Sequence, residues 1–134
     1  MNHTPRRIQR KRGKGWTAPL DAQGRKPVYV GRGTRWGNPA RVVYRADTGG
    51  WHVDHDSGSG IGTWPTPAGA RKFAVESYRH YLDAHSDTAT AARRELAGRD
   101  LMCWCPLPEP GQPDYCHAAV LLDLANATAA EVTS

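Results

Sequence analysis

The sequence predicts a small single α/β domain, a short sheet with helices packed on it, Rossmann-like in the way its strands run through loops into helices. Three observations predict it. A chain of 134 residues, 39% of them hydrophobic, has room for one modest core and no second one. The order of apolar and turn-forming segments reads strand, glycine loop, hairpin, two helices, strand, helix, an alternation that builds layered α/β domains. The two clearest strands each run straight into a motif-rich loop, which is where open α/β sheets place ligands.

Taken in order, residues 1–16 read as a basic arm with six Lys or Arg and only Ile8 and Trp16 as anchors. Residues 17–126 make the domain, and residues 127–134 a flexible tail. Val28, Tyr29 and Val30 form a short strand leading into a glycine-punctuated loop, Gly31 to Pro39. Val42 to Tyr44 and Trp51 to Val53 pair as a hairpin across Asp47-Thr48-Gly49-Gly50, and Asp56 to Gly60 is a flexible loop. Thr66 caps the first helix, with Pro67 in its first turn, where a missing N–H costs nothing. Ala70, Phe73, Ala74, Tyr78, Tyr81 and Leu82 share one face of it. The second helix starts from a cap at Ser86 or Asp87, turns Ala89, Ala92 and Leu96 inward, and ends at Gly98, a residue type suited to the left-handed cap. Leu101 to Trp104 is the second clear strand, and the last helix buries Val120, Leu121 and Leu124. With the Val28 and Leu101 strands adjacent, Gly33 and Cys105 would emerge at one sheet edge and share a cleft.

Charge is divided along the chain. Residues 1–45 hold twelve Lys or Arg against the single acid Asp21, whereas residues 46–134 hold six basic and twelve acidic side chains. A basic front on an acidic body points to an anionic partner, a nucleotide or nucleic acid first. No apolar run approaches the roughly 18 residues that cross a bilayer, and no apolar signal core opens the chain, so a membrane partner is excluded and the expected location is cytoplasmic. Three cysteines, an odd number, argue against a disulfide framework and for thiols, a metal or a reactive site.

All three cysteines lie between Cys103 and Asn126. Cys103 and Cys105, two apart on a strand, point to one face and Trp104 to the other. Cys116 and His117 open a helix, where free N–H groups and the dipole favour an anion or a thiolate, so Cys116, His117 and Cys105 are the candidate catalytic residues. The alternative makes Cys103, Cys105, Cys116 and His117 a metal set, with zinc the metal it would hold. Against it stands the roughly 100° that separates neighbours on a helix, which would turn Cys116 and His117 apart. The loop Gly31, Arg32, Gly33, Thr34, Arg35, Trp36, Gly37, Asn38 supplies arginines for phosphate and a tryptophan for base stacking. It is neither a Walker motif nor G-x-G-x-x-G, and it reads equally as a tight turn with Trp36 closing the core. Arg7, Arg10 and Lys14 of the arm add their charge to this phosphate-binding set. His52, Asp54, His55 and Asp56 read as an ordinary polar hairpin end.

The R-I-Q-R-K-R-G-K-G-W opening, the V-G-R-G-T-R-W-G-N-P loop and the C-W-C-P…C-H-A-A-V-L-L-D-L-A-N ending, in that order, resemble a family of bacterial and phage proteins known as domain of unknown function 4326. The likeness spans nearly the whole chain outside residues 46–63 and the tail, with a longer loop, Leu107 to Tyr115, before Cys116. It implies that Arg7, Arg10, Trp36, Asn38, Cys105, Cys116 and His117 belong to one functional set, and it names no reaction.

These observations lead to a protein that binds nucleotide or nucleic-acid phosphate in a cleft between the glycine loop and the Cys-His helix start. As an enzyme it would modify a nucleotide or base or transfer a glycosidic bond. The alternative is a non-catalytic nucleic-acid-binding module stiffened by zinc, and the third reading is a phage or host interaction module whose arm folds on an acidic partner.

Overall fold

The computed structural model describes residues 4–47, 49–55 and 60–127. In chain order the elements are β1 (Arg7–Gln9), β2 (Val28–Tyr29), β3 (Ala40–Arg45), β4 (Gly50–His55), β5 (Gly60–Trp64), α1 (Pro67–Ala84), α2 (Ser86–Glu95), β6 (Leu101–Cys103) and α3 (His117–Asn126). They form a mixed α/β domain with two three-stranded sheets, of order β1-β6-β2 and β3-β4-β5.

The first sheet is parallel, with β6 in its centre. Arg7 and Val28 flank Leu101, Ile8 and Tyr29 flank Met102, and Gln9 flanks Cys103. The Val28 and Leu101 strands are therefore neighbours, as expected. Because all three strands run the same way, the basic segment after β1, the glycine loop after β2 and the cysteine loop after β6 leave the sheet at one edge.

β1 was not expected, since it lies inside the supposed basic arm. Arg7 and Ile8 are buried, and the strand is held by Leu101 N–H donating to the Arg6 carbonyl at 3.0 Å and Arg10 N–H to that of Cys103 at 2.8 Å. Buried Asp100 anchors its start, accepting from the Arg6 N–H at 2.8 Å and the Arg6 guanidinium at 2.9 Å. The arm boundary at residue 16 thus cuts through the sheet. Three residues are too short a run for period-two alternation to show through the surrounding charge.

The second sheet contains the expected hairpin as β3 and β4, with Val42 opposite Val53 and Tyr44 opposite Trp51. β5, which was not expected, extends it from Gly60, the last residue of the expected loop; the rest of that loop, residues 56–59, lies outside the described residues. Gly62 is in β5 for a steric reason, because a Cβ there would meet the Trp64 ring at 2.8 Å. Trp64 in turn packs on Phe73 of α1, ring centroids 4.6 Å apart.

α1 joins two cores. Ala70 and Ala74 pack with Ala40 and Val53 of the antiparallel sheet, while Val75, Tyr78 and Leu82 enter the main core with Val30, Leu101 and Leu121. Thr66 caps α1 as expected, its Oγ1 accepting from the Gly69 N–H at 3.2 Å. α2 differs slightly at its start. His85 occupies the cap position and Ser86 and Asp87 fall in the first turn, where Asp87 suits the helix dipole. Gly98 takes the left-handed conformation, φ 73°, just beyond the helix.

Candidate functional site

Cys103 ends β6 on the side of the sheet that faces α3, buried with Leu101; Cys105, two residues on, is half-buried beside it. Cys116 reaches them by a route that helical spacing did not anticipate. It is the cap of α3 rather than a helical residue, with extended backbone at φ −134° and ψ 140°. The rotation that would separate helical neighbours does not apply to it, and its sulfur turns back to the strand end. The Sγ atoms of Cys103 and Cys105 are 3.8 Å apart, and all three sulfurs lie within 4.8 Å of one another. Three close thiols of this kind could hold a metal ion.

His117 stands just outside that trio. Its Nε2 is 2.7 Å from the Val30 carbonyl, which can only accept, so Nε2 carries the proton. Nδ1 is left facing the Cys116 sulfur at 3.9 Å, and the ring meets Tyr78 edge-on at 5.3 Å. In the thiols themselves, hydrogen bonds from Cys105 and Cys116 hold the Cys103 thiol below its ordinary pKa. The same bonds push Cys105 and Cys116 up, with burial adding to the effect.

Arg7 supplies a buried positive charge beside this cluster. It was expected to meet a ligand phosphate, but its side chain is only 4% exposed and all three guanidinium nitrogens donate within the fold. Nε and Nη2 donate to the Asp114 carboxylate at 2.6 and 2.9 Å, Nη1 to the Cys105 carbonyl and Nη2 to the Pro106 carbonyl, both at 2.6 Å. Burial opposes its charge, yet the Asp114 hydrogen bond and the charges of Cys116, Asp114 and Cys105 outweigh it and raise the pKa. Arg7 therefore staples both ends of the loop that joins Cys105 to Cys116, folding it back as a shared cysteine site requires. Its partner Asp114 carries no local motif, being 107 positions away in sequence. Asp100, at the opposite end of β6 from the cysteines, is likewise occupied by Arg6.

The glycine loop proves to be a pair of tight turns. Thr34 N–H donates to the Gly31 carbonyl and Gly37 N–H to that of Thr34. Thr34 Oγ1 also donates to Gly31 at 2.7 Å and accepts from the Trp36 N–H. Trp36, the proposed base-stacking group, is 5% exposed and part of the main core, with Tyr78 donating to its carbonyl at 2.6 Å. Asn38 bridges the Ala74 carbonyl and the Ala40 N–H. Arg35 stacks on Trp36 and pairs with Glu95 at 3.2 Å. Gly33 is exposed with φ 87°, and Lys14 is exposed on its own turn. Arg10 is stacked between Tyr29 and Trp104.

A cleft of about 580 Å³ does join the two elements. The three cysteines and His117 lie on one wall, Arg32 and Asn38 come from the glycine loop, Arg41 from β3 and Arg71 from α1. Arg41 and Arg71 escaped notice in the sequence because neither sits in a motif; an arginine at the exposed start of a helix face is ordinary until the fold places it over a cleft. Among the described residues His52, Asp54 and His55 belong to no metal-ligand cluster, Asp54 pairing with Arg45 at 2.5 Å and His52 with Thr63 at 3.3 Å; Asp56 lies outside the described residues.

Residues 8–127 match the model of the family described as domain of unknown function (DUF4326). No curated protein and no solved structure matches the chain. Among the described residues, no helix is long and apolar enough to cross a membrane.

Proposed function

The chain belongs to the DUF4326 family, and from that premise we propose that it is a nucleotide- or nucleic-acid-phosphate-binding module whose cleft wall is held by zinc on Cys103, Cys105 and Cys116. The observation that carries the reading is the convergence of three sulfurs within 4.8 Å beside a cleft that also receives Arg32, Arg41 and Arg71. Tetrahedral zinc with Zn–S near 2.3 Å separates its sulfur ligands by about 3.8 Å, and Cys103 and Cys105 stand 3.8 Å apart. A thiolate trio around a divalent ion carries net negative charge, which buried Arg7 offsets from the adjacent loop. Three cysteine ligands leave a fourth position, for which His117 Nδ1 and a group in the cleft are the two nearby claimants. Arginines are suited to the phosphate end of the ligand because the planar guanidinium meets phosphate oxygens in pairs.

The test combines metal content with one cleft substitution. Protein purified without added metal should carry one zinc per chain, and Arg71→Gln should weaken binding of a fluorescent nucleotide or a labelled oligonucleotide about tenfold with zinc content unchanged. Metal-free protein that binds neither probe, or binds them equally well as the Arg71 variant, overturns the reading. A second reading has one support of its own: the thiols and His117 line an open cleft rather than a sealed one. There Cys105, Cys116 and His117 would act in base modification or glycosidic transfer, and metal-free protein with Cys116→Ser folded but inactive would favour it.

A further inference from the structure

The geometry points to the outer face of the parallel sheet as a binding track for single-stranded nucleic acid. This rests on the preceding reading and chooses its partner, a polymer strand rather than a free nucleotide. Side chains alternate across parallel strands, so Ile8, Arg10, Tyr29, Met102 and Trp104 share the face turned away from Leu101 and Cys103. α3 packs on β1 and β6, the core residues Leu101 and Cys103 lie on its side, and among the described residues no helix or strand packs on the opposite face; Ile8 on that face is buried, so its open part is the carboxyl end, around Arg12 and Trp104.

At the carboxyl end of that face, the three strands assemble one row of planar groups. The Arg10 guanidinium lies 5.0 Å from the Tyr29 ring centre and 4.9 Å from that of Trp104, and the Arg12 guanidinium lies 5.0 Å from Trp104. Tyr29 closes the row against Gly31, where any Cβ would come within 2.4 Å of its hydroxyl oxygen. Glycine at 31 is therefore what lets the ring lie there. Trp104 is 38% exposed and Arg12 is exposed, so the row is open to solvent at its outer end.

Alternating aromatic rings and guanidinium groups offer unpaired bases a stacking surface and backbone phosphates a fixed cation, the combination by which proteins hold single strands. A duplex hides its base faces and gains only the charge. Stacking on the rings also holds Arg10 and Arg12 in place, so less side-chain freedom is lost when phosphate binds. Trp104 lines the cleft as well, so a strand lying along the row leads directly to the cysteine wall. Arg10, Lys11 and Arg12 follow β1 and Arg32 follows β2 at this edge, which gives this end of the sheet the matching field.

Fluorescence anisotropy on the full chain, with a short labelled oligothymidylate, its RNA counterpart and a duplex of equal length, tests the track. Both single strands should bind more tightly than the duplex. Trp104→Ala should weaken single-strand binding about tenfold, one stacking contact, and Trp104→Phe should restore most of it. Arg12→Gln, at an exposed position, should lower the slope of log affinity against log salt by about 0.7. Equal binding of duplex, or unchanged affinity and slope in both Trp104→Ala and Arg12→Gln at unchanged metal content, overturns the track. Loss of oligonucleotide binding in the Trp104 and Arg12 variants, with Arg71→Gln and metal removal without effect, upholds the track while removing the cleft reading.

Discussion

The glycine loop and the cysteine element leave the same edge of one parallel sheet, yet their side-chain atoms are disposed in opposite ways. In the loop, Thr34, Asn38 and the Trp36 backbone make hydrogen bonds within the fold, and the tryptophan fills the core. The cysteine element gathers three sulfurs, two buried and one half-buried, against one another, and sulfur is a weak donor and a weak acceptor. A loop that satisfies itself is a device for holding elements together. A cluster of thiols bonded weakly and only to one another is suited to receiving something else. Glycine spacing alone reports backbone geometry, and chemistry is better sought where polar side chains converge without backbone partners.

The contrast is broken most directly by removing metal. Binding by three cysteines would appear as folding free energy, on the order of 10 kcal/mol for structural zinc. EDTA, or Cys116→Ser, should then abolish cooperative unfolding or lower Tm steeply in calorimetry. A Tm indifferent to chelator, with Cys116→Ser costing less than about 1 kcal/mol, would make the cysteines as self-contained as the loop. Acid should act in the same direction as chelator. Thiols must lose their protons to bind metal, so metal affinity falls as pH falls, and the Tm values with and without zinc should converge on the acid side.

Trp36→Ala comes next, because it empties a buried indole site and should cost about 3–5 kcal/mol. If the loop is purely structural, the protein that remains folded should bind a nucleotide with unchanged affinity. Arg7→Met should cost about 3 kcal/mol by stranding the Asp114 carboxylate and two carbonyls, read from denaturant unfolding. Arg7→Lys should rescue little, since one ammonium cannot reach all the acceptors that the planar fork spans. The Arg7 change should also weaken zinc binding, measured by competition with a chelator, because it frees the loop between Cys105 and Cys116. Unchanged zinc affinity would confine Arg7 to stability alone.

Much of this is legible in the sequence. Both capped helix boundaries around Thr66 and Gly98, the hairpin from Val42 to Val53 and the adjacency of the Val28 and Leu101 strands follow from local patterns of turn residues and apolar spacing. What escaped was set by distant partners. β1 exists because β6 and Asp100 supply its hydrogen bonds from more than ninety residues away, and β5 because Gly62 admits the Trp64 ring. The site was misjudged at one dihedral. Cys116 was treated as helical, whereas its extended backbone brings the third sulfur to the other two. Arg7, expected at a ligand phosphate, is instead buried in an ion pair, and of the two readings of Trp36 the structure bears out the one that closes the core.

The smallest expected effect is also the sharpest probe of the loop. Gly33 has φ 87°, and a Cβ built there meets nothing within 4 Å, so Gly33→Ala costs only the backbone strain of a left-handed residue, about 1 kcal/mol. Asn tolerates that conformation better than Ala, so Gly33→Asn should recover part of the loss in a thermal melt. Neither change should alter nucleotide affinity if the loop merely turns the chain into β3. A phosphate seated on the loop backbone would behave otherwise, because the new methyl projects into the open space the ligand would occupy. An affinity loss larger than the stability loss, and not relieved by Asn, would return Gly33 to the ligand and dissolve the distinction between the two loops.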